Sequence, residues 1–179
     1  MAIAERGARV SALLLTLAAC GGGAPSGASA APAAPAIVTV DLDGLRAWLA
    51  AHRGAPLLVN FWATWCAPCV AELPDLMAGT REFRAAGGVV AAVALECVVD
   101  DVTPTQAEEK VRAKAAQLGL DCHVLVCTAD DLLALRRALG VELGALPQTV
   151  TFGPDGAVRA QHEGKASAAE FAALADGAR

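Results

Sequence analysis

From Ile37 onward the apolar positions of the chain switch repeatedly between a helical and a strand-like spacing. Leu45, Trp48 and Leu49 share one helical face behind the candidate caps Asp41 and Asp43, and Leu57–Ala63 is then a nearly continuous apolar run, the signature of a strand buried on both faces. A helix is expected from the cysteines at 66 and 69 to about Arg84, with Pro74 kinking it; Gly87-Gly88 follows, then a second buried strand, Val89–Leu95. Thr103-Pro104 opens a further helix that Gly119 closes, with Glu108 and Arg112 at the favourable i, i+4 spacing. His123–Val126 reads as a short strand, and Asp130 or Asp131 opens a helix closed by Gly140. Thr149–Phe152, the turn Gly153-Pro154-Asp155-Gly156 and Ala157–Gln161 form a hairpin, and Ser167 with Glu170 is a capping box before a last helix carrying Phe171 and Leu174. Alternation of this kind predicts an α/β fold with a mixed central sheet flanked by helices.

The chain has 179 residues, 55% of them hydrophobic, which suits one domain with a full core rather than two. Its net charge is −5 and no Lys/Arg stripe runs along it, so nucleic acid is not an expected partner. The first residues stand apart from this pattern. Arg6 and Arg9 precede the apolar run Val10–Ala19, which is too short to span a bilayer and reads as a secretory signal. Leu17-Ala18-Ala19-Cys20 resembles the bacterial lipoprotein signal, which implies cleavage after residue 19 and a lipidated Cys20. Gly21–Ala36 contains Gly, Ala, Pro and Ser alone and cannot bury enough apolar surface to fold. The expected organisation is therefore a signal over 1–19, a lipid-bearing flexible tether over 20–36 and a folded domain over 37–179.

The chemistry concentrates in Cys66-Ala67-Pro68-Cys69. A Cys-x-x-Cys placed between a buried strand and a helix puts its first sulfur at the helix N-terminus, where unpaired amides and the helix dipole favour the thiolate. Cys66 is thus the expected nucleophile toward a partner disulfide, and Cys69 the thiol that resolves the mixed disulfide. A zinc site shared with Cys122 and Cys127 is disfavoured, because those two flank a predicted strand, some 16 Å apart and on opposite faces.

The segment Val59-Asn60-Phe61-Trp62-Ala63-Thr64-Trp65-Cys66-Ala67-Pro68-Cys69 resembles the active-site segment of the TlpA/ResA branch of thioredoxin-like proteins, and the resemblance extends over about residues 37–179. It implies a thioredoxin fold with a helix-strand insertion whose added strand lies at the sheet edge. It also implies that Asn60 replaces the buried aspartate of cytoplasmic thioredoxins, and that Glu96, at the end of Val89–Leu95, tunes or deprotonates Cys69. Leu146-Pro147 matches the family's cis-proline loop, whose backbone pairs with substrate; Leu146, the spacer Ala67-Pro68 and the rim residue Trp65 are then the substrate-facing positions. In that arrangement Cys97 and Cys127 fall just beyond neighbouring strand ends, within possible reach of a disulfide, while Cys122 has no evident partner. Trp62 and Met77 read as packing residues, and His52, His123 and His162 as isolated side chains without ligand spacing.

These features imply a thiol:disulfide oxidoreductase on the periplasmic or another extracytoplasmic face, anchored to a membrane and reducing protein disulfides. The resemblance implies an apocytochrome c or a related substrate and a membrane thiol-disulfide carrier as electron donor; no cofactor is expected. Two other readings of the dithiol are a Cu(I)-handling module, in which Cys97 is the nearby third thiol, and a thiol peroxidase, whose usual Thr-x-x-Cys pattern is missing around Cys66.

Overall fold

Asp41 begins the first helix by a local bond: its carboxylate accepts the Gly44 amide at 2.7 Å, and Leu42–Ala51 (α1) follows. The structure is a computed structural model and describes residues 36–99, 102–129 and 131–179. Before α1 lies a four-residue strand, Ile37–Val40 (β1), half exposed and without the continuous apolar run that marks the next strand, Leu57–Trp62 (β2). Ala67–Gly79 (α2) runs through Pro74, and the expected long helix is interrupted instead at Thr80, whose hydroxyl donates to the Leu76 carbonyl at 2.6 Å; Arg81–Ala85 (α3) continues beyond it. Val89–Ala94 (β3) then leads into Glu96–Val99 (α4), so Glu96 stands just past the end of the strand, where it opens a helical turn.

Pro104–Leu118 (α5) starts at a Thr103–Gln106 capping box and stops at Gly119 in the left-handed conformation, φ +63°. Its Glu108–Arg112 pair closes at 2.5 Å on the exposed face, where such pairs contribute little. His123–Cys127 (β4) is followed by Leu132–Leu139 (α6), capped by Asp131; Asp130 lies outside the described residues. Gln148–Phe152 (β5) and Val158–Glu163 (β6) make the hairpin, and Ala168–Gly177 (α7) begins at the Ser167–Glu170 capping box.

The sheet order is β1-β4-β3-β2-β5-β6, with the first four strands mutually parallel, β5 antiparallel to β2, and β6 antiparallel to β5. The added strand β4 therefore sits between β3 and β1, and the short β1 forms the edge that β4 was expected to occupy. Side chains alternate across the sheet into two cores. Leu58, Trp62, Ala92 and Val126 meet Leu73 and Leu76 of α2, Val111 of α5 and Phe171 of α7 on one face; Phe61, Val93, Leu125 and Val150 meet Leu45 of α1 and Leu135 of α6 on the other. Parallel strands direct their carboxyl ends to one pole, and the β2–α2 turn that carries the cysteines lies there.

Candidate functional site

β2 ends at Trp62, the Cys66 amide donates back to the Ala63 carbonyl at 3.1 Å, and Cys66 becomes the N-cap of α2. Its Sγ accepts the Cys69 amide at 3.3 Å, and Pro68, which has no amide hydrogen, occupies the first turn without leaving a donor orphaned. Cys66 and Cys69 are bridged, with Cα atoms 5.3 Å apart. Cys66 is 6% exposed whereas Cys69 is fully covered, so an incoming sulfur meets Cys66 first. The same amide and helix dipole that reach the Cys66 sulfur stabilise it as a thiolate once the bridge is open.

The helix that carries Cys69 also buries a carboxylate that sequence reasoning missed. Glu72 is completely buried on the face of α2 that also carries Cys69, Leu73 and Leu76. Its Oε1 accepts from Asn60 Nδ2 at 2.8 Å and its Oε2 from the Ala166 amide at 2.8 Å. Asn60 Nδ2 also faces Thr149 Oγ1 at 3.0 Å, the two residues being register partners on β2 and β5. Burial pushes the Glu72 carboxyl above the usual carboxylate range; the two hydrogen bonds and the charges of His162 and Lys165 offset part of that. Asn60 thus leaves the site with a buried acid, carried one helical turn beyond Cys69. The signal was present in the sequence as a glutamate at i+3 from Cys69, on the apolar stripe of its own helix.

Glu96 is also fully buried, and its Oε1 accepts the Thr64 amide. It braces the turn between β2 and Cys66 from the neighbouring strand end, while its Oε2 has no partner among the described residues. The Leu146–Pro147 bond is cis, and the Pro147 carbonyl accepts the Gly164 amide at 2.9 Å. Between this loop and the dithiol opens a mainly apolar cavity of about 210 Å³, walled by Trp65, Cys66, Leu95, Val98, Leu143 and Leu146. Trp65 is 44% exposed at its rim. Ala67 and Pro68 form the first turn of α2 beside it.

The remaining cysteines are not part of this arrangement. Cys97, Cys122 and Cys127 are free thiols. Cys97 packs with the core on the α2 side of the sheet and Cys127 with the core on the α1 side, so the disulfide considered between them is absent: adjacent strand ends bring the backbones near but leave the side chains on opposite faces. Cys122 and Cys127 are likewise on opposite faces and share no metal. Burial raises the thiol pKa of all three, with Glu96 adding to the effect at Cys97, and that of Cys122 is pushed up to about 12. They stay protonated and unreactive near neutrality. His52 and His123, expected to be isolated, lie together with ring centroids 5.3 Å apart. Cys20, the signal over 1–19 and the tether up to residue 35 lie outside the described residues; among those described, no helix is long and apolar enough to cross a membrane.

Residues 28–176 match the sequence model of Redoxin. The chain is 29% identical over 126 residues to the thiol-disulfide oxidoreductase ResA of Geobacillus thermodenitrificans, a match covering 70% of this chain and 64% of that relative. It is 37% identical over 60 residues to the protein of that name from Bacillus subtilis, covering 34% of each chain. Matches to the curated relatives thus span less than two thirds of their length. Among solved structures, a putative thiol:disulfide interchange protein DsbE from Chlorobium tepidum superposes with a TM-score of 0.54 at 26% identity, covering 72% of this chain and 81% of that one. A thioredoxin-family thiol:disulfide interchange protein from the TLS strain of the same species gives 0.56 at 22% identity, covering 72% and 83%. The architecture is the thioredoxin fold with its mixed sheet.

Proposed function

The chain belongs to the Redoxin family, on the ResA-like branch of thioredoxin-like proteins, and we propose that it is a membrane-tethered, extracytoplasmic thiol:disulfide oxidoreductase that reduces disulfides in proteins. The observation that carries this reading is the pairing of a reachable Cys66 sulfur, held by the Cys69 amide at a helix N-terminus, with a fully buried Cys69 that shares a buried helix face with the Glu72 carboxylate.

In the reduced protein the Cys66 thiolate attacks a substrate disulfide, forms a Cys66–substrate mixed disulfide and releases one substrate sulfur as thiolate. Cys69 then gives up its proton and attacks Cys66 Sγ; the Cys66–Cys69 bridge forms and the second substrate sulfur leaves with the remaining electron pair. Two electrons pass from the dithiol to the substrate. In this reading the Cys69 proton goes to a buried carboxylate, either Glu72, on the same helix face and with a raised affinity for protons, or Glu96. Glu96 holds the turn before Cys66, and the apolar cavity beside Leu146 and Trp65 receives side chains of an extended substrate segment whose backbone runs along the cis-proline loop. An apocytochrome c is the proposed type of substrate, and a membrane thiol-disulfide carrier returns the electrons. The tether over 20–36, lipidated at Cys20, suits this work: β1 starts at the amino pole of the parallel strands and Cys66 follows the carboxyl end of β2, so the chain enters the fold at the pole away from the dithiol.

The test is equilibration of the full chain in thiol redox buffers, alone and as Cys69→Ser. A potential near that of thioredoxin, about −270 mV, supports a reductant; one near −120 mV makes the protein an oxidant. A Cys69→Ser chain that accumulates a mixed disulfide through Cys66 supports the order of attack, and the lack of any reversible couple sinks the proposal. Radiolabelled fatty acid incorporated by the wild type and not by Cys20→Ser tests the anchor.

A further inference from the structure

Trp48 and His52 stand one turn apart at the end of α1, and His123 is the first residue of β4; the parallel sheet brings the three rings together at the amino pole, away from the dithiol. The Trp48 indole lies 3.9 Å from the His52 ring and 5.3 Å from that of His123, and the two imidazoles are 5.3 Å apart at 68°. We propose that His52 and His123 form a two-imidazole binding site for a divalent late first-row cation such as Zn²⁺ or Ni²⁺.

Two observations carry the assignment. An imidazole nitrogen sits about 2.0–2.1 Å from a bound zinc, so two rings on one tetrahedral ion have centroids about 5 Å apart, the separation found here. His52 Nδ1 lies 2.7 Å from the Trp48 carbonyl oxygen. A carbonyl only accepts, so Nδ1 carries the hydrogen and the Nε2 lone pair is left to bind; this is the outer bond that commonly fixes the tautomer of a metal-bound histidine. No group of three or more His, Cys, Asp or Glu side chains suited to a metal occurs among the described residues, so water completes the shell and the ion exchanges freely. The indole of Trp48 covers one side of the pair and restricts the His52 ring.

Zinc titrated into the full chain, bridge intact, and followed through the imidazole resonances tests this directly, with His162 on the distant strand β6 as the internal reference. The expected result is a joint shift of His52 and His123, saturating at one ion per chain, with His162 unmoved. His52→Gln and His123→Gln each weaken binding at least tenfold. Histidine signals that stay in place, as they would if the thiols of Cys97 or Cys122 held the ion, overturn the proposal. So does a shift of all three histidines alike, or binding unchanged in either variant.

Discussion

Asn60 donates from Nδ2 to the Glu72 carboxylate at 2.8 Å, tying a buried acid beneath the dithiol helix to the strand that presents the dithiol. An ionised carboxylate in that position is costly unless its oxygens are hydrogen-bonded, and Asn60 and the Ala166 amide each satisfy one. The arrangement makes Glu72 a group whose protonation folding senses.

Because burial raises the Glu72 pKa above its ordinary 4.5, the native state binds a proton more tightly than the unfolded chain. The stability this contributes is fully present below the unfolded value and is lost as pH rises through the folded one. Glu72→Gln removes that dependence, and the Asn60 amide can turn so that its Oδ1, without a partner among the described residues, accepts from the new side chain. Urea midpoints from pH 4 to 7 should therefore rise for the variant relative to wild type as pH increases. Parallel curves would remove Glu72 from the pH response. Resolution of the mixed disulfide by Cys69 should slow about a hundredfold if Glu72 takes its proton.

Glu96→Ala strips the acceptor from the part-buried Thr64 amide. A loss of about 1–3 kcal/mol in unfolding free energy is expected, whereas Glu96→Gln keeps a carbonyl for Thr64 and retains most of the stability. Chemical denaturation of the two variants side by side decides it. Equal losses would mean that the charge, and not the hydrogen bond, braces the turn.

Trp65→Ala opens the rim of the cavity beside Cys66 without touching either sulfur's backbone partners. Exchange with a protein disulfide should slow about tenfold through lost apolar contact, while reduction of a small aliphatic disulfide stays near the wild-type rate. Stopped-flow rates with the two substrates separate these outcomes. Equal slowing of both would place Trp65 in the chemistry instead of the docking surface.

Gly79 lets α2 cross α7 at close range: a Cβ there would meet the Ala168 carbonyl oxygen at 2.2 Å and Phe171 Cβ at 2.8 Å. Gly79→Ala forces the helices apart and should cost about 1–3 kcal/mol, read as a lower denaturation midpoint. Phe171 packs over the same core face as Trp62, so near-ultraviolet circular dichroism should change with it. A variant as stable as wild type would mean that α7 shifts without penalty.

Most of the elements, the caps at Asp41, Thr103, Asp131 and Ser167, and the placement of Cys66 at a strand-to-helix turn were legible in the residues, because each depends on neighbours within about one turn of chain. The strand β1 was not, since four half-exposed residues carry too little pattern. Nor was the break at Thr80, which the pattern reads as part of one helix running to about Arg84.

By itself the sequence determined which residues alternate, which cap, and that two cysteines share the first turn of a helix behind a buried strand. Only the tertiary structure decided that Asn60, Glu72, Thr149 and Ala166 meet beneath that helix, that Cys97 and Cys127 face different cores, and that His52 and His123 stand side by side. The physical reason is that these relationships depend on strand order and register. A neighbour in space is set by which strand pairs with which, and a one-residue change of register turns every side chain to the opposite face of the sheet.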